Sequence, residues 1–220
     1  MIFDTETMAH EDAYRLIVGA VLPRPIAFVS TLGPTGVANL APYSFFTVVC
    51  ASPLTICFSA MRRGQAGSKK DTLLNIEANG EFVVNVVDES FVQQMNAASA
   101  DFEHGVSEFE QTGLTPIAST VVAPPRVLES PINMECRVHQ LVAVSDQPGG
   151  GTLVLGRVVR MHIRDDLLAE RRIVTERWQP LGRLAGATYA RVSDRFDLPR
   201  PAPPPQTPVT GGSSPDAARL

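Results

Sequence analysis

The sequence has little of what marks disulfide-rich, membrane-spanning or nucleic-acid-binding proteins. It contains three cysteines in 220 residues and no C-x-x-C pair, so we expect neither a disulfide framework nor a metal centre. No run of about 18 apolar residues occurs, which argues against a transmembrane helix. The net charge of −4 gives no general attraction for nucleic acid or an anionic membrane. These absences predict a cytoplasmic protein with no nucleic-acid or membrane partner.

The common nucleotide-binding and catalytic motifs are also missing. No G-x-G-x-x-G follows an apolar run, and residues 64–72, GQAGSKKDT, have the wrong spacing for a phosphate-binding P-loop. Neither a G-x-S-x-G elbow nor an H-E-x-x-H pair is present. Any cofactor must therefore be held by other arrangements of side chains and backbone.

The composition divides the chain into a body and a tail. Hydrophobic residues make up 44% of the 220 residues, which fits one domain of ordinary size. Residues 199–220 are dense in Pro, Gly, Ser and Thr and can bury little apolar surface. We therefore predict one domain over residues 1–198 and a disordered Pro-rich tail over 199–220.

The body has the pattern of a mainly β protein. Short apolar or alternating runs, bounded by Gly and Pro, predict strands over residues 25–31, 37–41, 44–50, 54–60, 81–87, 132–145 and 152–164. Helical segments are fewer and are expected over residues 71–78, 90–98 and 166–173. Many short strands with few helices favour a closed or partly closed barrel.

A phosphate site is suggested by residues 68–72, Ser-Lys-Lys-Asp-Thr. Ser68 and Asp71 have the S-x-x-D spacing of a capping box before an apolar run. A helix start exposes unpaired N–H groups and the positive end of the helix dipole, and Lys70 and Thr72 stand at the same place. The alternative is an ordinary solvated helix cap.

Two other polar positions suggest contacts to a cofactor. Residues 39–44, Asn-Leu-Ala-Pro-Tyr-Ser, combine polar side chains with a flat aromatic ring, which suits a ring cofactor with polar edges. Arg24 stands between two prolines, which limit its direction, and its guanidinium suits an anion. The alternatives are a connecting loop and a surface arginine.

The order of several motifs resembles that of one known family. Residues from about 10 to 192 contain PRPIAFVSTLGPTGVANLAPYSFF, SKKDT, NGEFVVNVV, GVSEFEQTGLTP, ESPINMECRV, GRVVRMHI and PLGRLAGATY. Together they resemble the flavin reductase-like family, which includes flavoredoxins and the reductase partners of two-component flavin monooxygenases. The resemblance implies an FMN-binding split β-barrel of Greek-key type with a few flanking helices.

The resemblance also implies a set of FMN-binding residues. It places the strand-end pair Ser30 and Thr31 along the flavin and the 70–72 segment at the phosphate. Phe28 stands where many members carry tryptophan, and residues 102–104, Phe-Glu-His, replace a more usual tyrosine-proline stretch on the substrate side. The full implied set is Arg24, Phe28, Ser30, Thr31, Asn39, Ala41, Pro42, Tyr43, Ser44, Lys70, Asp71, Thr72 and Arg183. Tyr189 accompanies Arg183 near the site or a subunit interface.

His162 is the candidate catalytic residue. It ends a predicted strand, at a position where relatives often carry histidine, and a neutral imidazole could donate a hydrogen bond near the flavin or relay a proton. The alternative is a structural histidine whose hydrogen bonds are satisfied.

The resemblance implies an NAD(P)H:flavin reductase. NADH or NADPH would reduce FMN, and the reduced flavin or its electrons would pass to a partner such as a flavin-dependent monooxygenase. The alternatives are a flavoredoxin-type electron-transfer protein with tightly bound FMN and a non-catalytic flavin-binding module. The family also implies a homodimer.

Overall fold

The computed structural model describes residues 1–64 and 67–201, so the predicted tail lies outside the described residues from position 202 onward. The strands are β1 Ala27–Leu32, β2 Ala38–Tyr43, β3 Phe46–Ala51, β4 Leu54–Met61, β5 Glu81–Val86, β6 Pro116–Ile117, β7 Arg126–Val127, β8 Ile132–Ala143, β9 Gly151–Ile163, β10 Leu168–Ala169, β11 Arg172–Ile173, β12 Leu181–Arg183 and β13 Tyr189–Arg191. The helices are α1 His10–Ala20, α2 Asp71–Asn79, α3 Val92–Ala97 and α4 Glu108–Thr112, with 3-10 turns at Glu89–Phe91, Asp165–Leu167 and Thr175–Arg177. Among the described residues, no helix has the length and apolar character needed to cross a bilayer.

Seven strands form one antiparallel sheet that curls into a barrel. Their order is β2-β1-β5-β8-β9-β4-β3, so β2 and β3 are the two ends of the sheet. Only Ser44 and Phe45 connect these end strands, which brings the two edges together. The rings of Tyr43 in β2 and Phe58 in β4 lie 4.9 Å apart between centroids. The expected mainly β split barrel with few helices is confirmed.

Strand β1 is buried on both faces because it separates two hydrophobic cores. Ala27 and Val29 point into the barrel interior. Phe28 points the other way, into a second core formed with α3 and α4. Burial on both faces explains why this strand is a continuous apolar run rather than an alternating one.

Gly156 shows how closely the barrel interior is packed. A Cβ atom at this position of β9 would overlap the ring of Phe82 on β5. Glycine is therefore required here by close approach of a side chain, rather than by a turn.

Two local predictions were wrong. Helix α2 begins at Asp71 with Lys70 as its N-cap residue, and neither Ser68 nor Lys70 caps it with a side chain. Ser68 instead accepts a hydrogen bond from the Arg63 N–H through its carbonyl, at 2.8 Å. The capping box is thus absent, although the helix start lies where the sequence placed it.

The predicted helix over residues 166–173 is instead a β-hairpin. Strands β10 and β11 pair antiparallel, and the turn between them holds Glu170 and Arg171 at φ values of 48° and 64°. Two consecutive left-handed residues make the tight turn that hairpins favour. Helix α1 was not predicted, and much of its apolar side chain surface is exposed.

Candidate functional site

Two adjoining clefts bring together most of the predicted site residues. The first, which we call the Lys70 cleft, lies between the start of α2, strand β2 and the segment joining α3 to α4. The second, the Arg183 cleft, lies where α1, α3 and β12 meet. Pro42 and Ser99 line both clefts, so the two form one continuous surface. Of the predicted residues, the first cleft contains Asn39, Ala41, Pro42, Lys70, Asp71 and Thr72, and the second contains Arg24, Pro42, Ser44 and Arg183.

Glu108 organises the floor of the Lys70 cleft. Its carboxylate accepts hydrogen bonds from the Asn39 amide at 2.8 and 2.9 Å and from the Leu40 N–H at 2.8 Å. The residue is buried, and burial raises the pKa of its carboxyl group. Glu108 therefore ties α4 to β2 and fixes the orientation of the Asn39 side chain.

Thr72 is bonded into the same network. Its hydroxyl donates to the Asn39 side-chain oxygen at 2.7 Å, and the residue is 1% exposed. A hydroxyl has one proton to donate, so the side chain has none left for a phosphate. The predicted hydroxyl contact is corrected accordingly: only the backbone N–H of Thr72 remains suited to an anion.

Lys70 is the cation best placed for a phosphate. It immediately precedes α2, whose first backbone N–H groups have no intrahelical acceptor. Its Nζ lies 5.9 Å from the centroid of the Tyr43 ring, and burial lowers the pKa of its ammonium group. An anion beside Lys70 would compensate this desolvation. Lys69, in contrast, pairs with Glu77 at 2.7 Å.

The charges around the Lys70 cleft are mixed. Arg63 adds a second cation, but it lies 3.3 Å from the carboxylate of Asp101. Asp71 also borders the cleft and contacts His104 at 2.8 Å. The cleft is thus not uniformly positive, and an anion is favoured only on its Lys70 side.

The structure gives Arg24 an internal role. Its guanidinium donates to the carbonyls of Val18 at 2.6 Å, Val21 at 3.1 Å and Leu184 at 2.8 Å. These bonds tie the end of α1 to the C-terminal part of the fold. Arg24 therefore shapes the Arg183 cleft, and the predicted contact between its guanidinium and an anion is not retained.

Arg183 and Tyr189 form a flat wall of the Arg183 cleft. The guanidinium carbon of Arg183 lies 4.5 Å from the centroid of the Tyr189 ring. The Tyr189 hydroxyl donates to Asn96 at 3.4 Å, which links the β12–β13 hairpin to α3. Stacked guanidinium and aromatic groups suit a planar ligand with polar edges.

Four predicted flavin contacts lie outside both clefts. Phe28, Ser30 and Thr31 have no exposed surface, and the Ser30 hydroxyl donates to a backbone carbonyl. Tyr43 is 6% exposed, and its ring packs in the barrel core. These side chains support the cleft walls from within, and we do not retain them as direct contacts.

His162 lies apart from both clefts. Its Nε2 is 2.6 Å from Oε1 of Glu135. Oε1 also accepts from the N–H of Thr120 at 2.8 Å, and Oε2 accepts from the N–H of Val121 at 2.7 Å. Burial opposes ionisation of Glu135, but hydrogen bonds from Thr120, His162 and Val121 outweigh it and lower its pKa to about 2. We therefore replace the catalytic assignment of His162 with a structural one.

Sequence reasoning missed several residues of the clefts. Glu108 lies in helix α4, and an acidic residue in a helix usually faces solvent. Nothing in the sequence therefore indicates that this side chain is buried. Ser99, Asp101 and Arg63 lie in loops whose position depends on the fold. Tyr14 belongs to the helix α1 that the pattern did not reveal.

Comparison with known proteins identifies the class. The sequence model of one protein family, the flavin reductase like domain, matches residues 18–182. The chain therefore belongs to the flavin reductase-like family. Flavin oxidoreduction is accordingly the class of chemistry that this fold and site support.

Individual relatives are similar over nearly their whole length. Nitrilotriacetate monooxygenase component B from Bacillus cereus is 39% identical, with a TM-score of 0.86 over 90% of this chain and 98% of that one. The 2-nitrobenzoate 2-nitroreductase NbaA of Pseudomonas fluorescens is 34% identical, with a TM-score of 0.84 over 94% and 99%. The uncharacterized protein BH2278 of Halalkalibacterium halodurans is 41% identical over 203 residues, covering 91% of this chain and 97% of that protein.

Proposed function

We propose that the protein is an NAD(P)H-dependent flavin reductase that binds FMN and passes reduced flavin or electrons to a partner such as a flavin-dependent monooxygenase. The observation that carries the proposal is the continuous surface from Lys70 to Arg183, which offers a cationic end and a flat, aromatic end. The similarity to a monooxygenase component B over 90% of the chain supports it.

The donors along this surface fit the parts of FMN. Lys70 and the first N–H groups of α2 would hold the phosphate, because a helix start with an adjacent cation favours an anion. Pro42 and Ser44 would border the middle of the ligand. Arg183 and Tyr189 would border the planar ring system.

The chemistry would be divided between the cofactor and the chain. Bound FMN would supply hydride acceptance from NADH or NADPH and onward electron transfer. The chain would orient the flavin through Lys70 and Arg183, and the Glu108 network would keep the β2 wall rigid. Nothing in this division requires a protein acid or base, which agrees with the distant placement of His162.

A second candidate differs in the electron acceptor. The similarity to a 2-nitrobenzoate 2-nitroreductase favours a protein that keeps FMN bound and reduces an acceptor directly. NADH and NADPH oxidation should be followed with and without added free FMN. Oxidation that rises with free FMN supports the reductase, whereas oxidation that needs 2-nitrobenzoate but no added flavin supports the second candidate. No flavin binding at all would contradict both.

Replacing Lys70 tests where the phosphate binds. Lys70→Ala should weaken FMN binding by about 1.5–3 kcal/mol, the range for a hydrogen bond to a charged group, and should leave riboflavin, which lacks the phosphate, almost unaffected. Fluorescence titration with both flavins measures this difference. Lys69→Ala is the matched control, because it removes the same charge from a lysine paired with Glu77. An unchanged FMN-to-riboflavin ratio in Lys70→Ala would place the phosphate elsewhere.

We also propose a homodimer. Apolar side chains are exposed on two elements, Leu16 and Ile17 on α1 and Val48 and Val49 on the end strand β3. Exposed apolar side chains that cluster on an element are typical of interfaces, and closed two-fold pairs are the commonest assemblies. Light scattering at working concentration measures the mass, and a strict monomer that binds FMN would contradict this part of the proposal.

A further inference from the structure

The carboxylate of Asp71 is an unexpected neighbour for a phosphate. Asp71 is the first residue of α2 and lines the Lys70 cleft. Its charge reaches the groups around it: burial is the main cause of the raised pKa of Glu108, and the charge of Asp71 adds to it. A phosphate bound beside Lys70 would meet the same repulsion.

His104 contacts this carboxylate in a groove that Lys70 does not line. Its Nδ1 lies 2.8 Å from Oδ1 of Asp71, whose side chain is 13% exposed, against 76% for the imidazole. The two side chains meet in a neighbouring groove bordered by Gly33 and Val106. Because a carboxylate only accepts hydrogen bonds, the Nδ1 atom carries the proton.

We propose that His104 is a positioning residue that holds the Asp71 carboxylate toward this groove through the hydrogen bond from its Nδ1 atom, so that a phosphate can bind beside Lys70. The inference rests on the proposed function, because it assumes that the phosphate of FMN binds at the start of α2. His104 belongs to the 102–104 segment in which this sequence departs from the usual family pattern.

The segment that carries His104 has anchors of its own. The Ser107 hydroxyl donates to the Ala38 carbonyl at 2.7 Å, and the Glu108 carboxylate accepts from Leu40. On the other side, Arg63 donates to the Phe102 carbonyl at 3.4 Å. Removing the imidazole should therefore leave the segment in place, so that the effect on Asp71 can be measured.

The first test compares FMN with riboflavin. His104→Ala should weaken FMN binding roughly two- to fivefold, the lower part of the range for one hydrogen bond, and leave riboflavin binding unchanged. His104→Gln keeps an N–H donor and should retain most of the FMN affinity. His139→Ala is the control, because His139 is an exposed histidine on β8 and should change neither affinity.

A double-mutant cycle separates positioning from mere local packing. Asp71→Asn removes the repelling charge and should raise FMN affinity relative to riboflavin. Adding His104→Ala to Asp71→Asn should then have no further effect on that ratio. A structural role for His104 would instead lower both flavin affinities alike and would persist in the Asp71→Asn background.

The results of these experiments distinguish failure of the His104 role from failure of the proposed function. Loss of both affinities in His104→Ala, no change in either, or an effect that persists in Asp71→Asn overturns the role of His104. If Lys70→Ala leaves the FMN-to-riboflavin ratio unchanged, or the parent binds no flavin, the proposed function fails first. A Lys70 effect without a His104 effect overturns this inference alone.

Discussion

Two of the histidine–carboxylate pairs among the described residues have similar distances but differ in how deeply the carboxylate is buried. His162 and Glu135 lie 2.6 Å apart with side chains 23% and 0% exposed. His104 and Asp71 lie 2.8 Å apart with side chains 76% and 13% exposed. In the first pair the carboxylate is enclosed, and in the second it borders the Lys70 cleft.

The difference lies in what else the carboxylate does. Glu135 accepts further bonds from two backbone N–H groups and the Thr120 hydroxyl, so it fastens the loop before β7 to β8. Asp71 lines the cleft, and within the described residues its carboxylate has a side-chain partner only in His104. A satisfied buried carboxylate stabilises the fold, whereas an accessible one affects what binds beside it.

Removing the charge of Glu135 should have the largest effect. Glu135→Gln should reduce the free energy of unfolding by about 3–5 kcal/mol, as expected when one partner of a buried pair is lost. Urea denaturation measures the loss. Glu77→Gln, which alters the more exposed pair with Lys69, is the control and should cost about 0–1 kcal/mol. A loss for Glu135→Gln no greater than that of the control would show that the enclosed pair is not a stabilising element.

Acid should destabilise the fold by protonating the carboxylate of Glu135. The pKa of Glu135 lies at about 2 in the folded protein instead of its ordinary 4.5, so its stabilisation is complete above pH 4.5 and is lost as the pH falls toward 2. That interval corresponds to roughly 3 kcal/mol. Urea denaturation of the parent and of Glu135→Gln at several pH values measures it. Parallel stability curves for the two proteins would contradict the lowered pKa.

His162 should matter for stability and not for flavin. His162→Ala should destabilise the fold by about 1.5–3 kcal/mol, since it removes a hydrogen bond to a buried charged group. Affinity for FMN and the rate of NAD(P)H oxidation should remain at parent values under conditions where the variant is folded. Steady-state kinetics with thermal unfolding as a parallel measurement tests both. A large fall in turnover with unchanged stability would restore the catalytic assignment.

The strands of the barrel could be predicted because buried β-strands leave an apolar run in the sequence, as residues 25–31 do. The barrel itself followed from the family resemblance, since the pairings of β1 with β5, β5 with β8 and β4 with β9 join segments distant in sequence. Helix α1 was not predicted because its apolar residues are largely exposed. The helix therefore lacks a clear buried face of apolar side chains.

The residues of the candidate site also differ in whether the sequence could predict them. Lys70 was predicted from local physics, because a helix start next to a cation is visible in the sequence. Ser30 and Thr31 were predicted from resemblance, and the structure shows them fully buried. Glu108 and Glu135 could not be predicted, since a buried carboxylate differs from a surface one only through donors that the fold brings from other elements.

Replacing Thr72 should have the smallest effect on stability, and it tests the Lys70 cleft in the most detail. Its hydroxyl donates to Asn39 at 2.7 Å, so Thr72→Val should cost about 1 kcal/mol of stability, the usual value of one hydrogen bond. The backbone N–H of residue 72 is untouched, and the FMN-to-riboflavin ratio should therefore stay at its parent value. Thr72→Ser is the control, because it keeps the hydroxyl and loses a methyl group. Urea denaturation and flavin titration measure the two quantities separately. A ratio that falls in Thr72→Val and recovers in Thr72→Ser would mean that the hydroxyl turns from Asn39 to the phosphate when FMN binds.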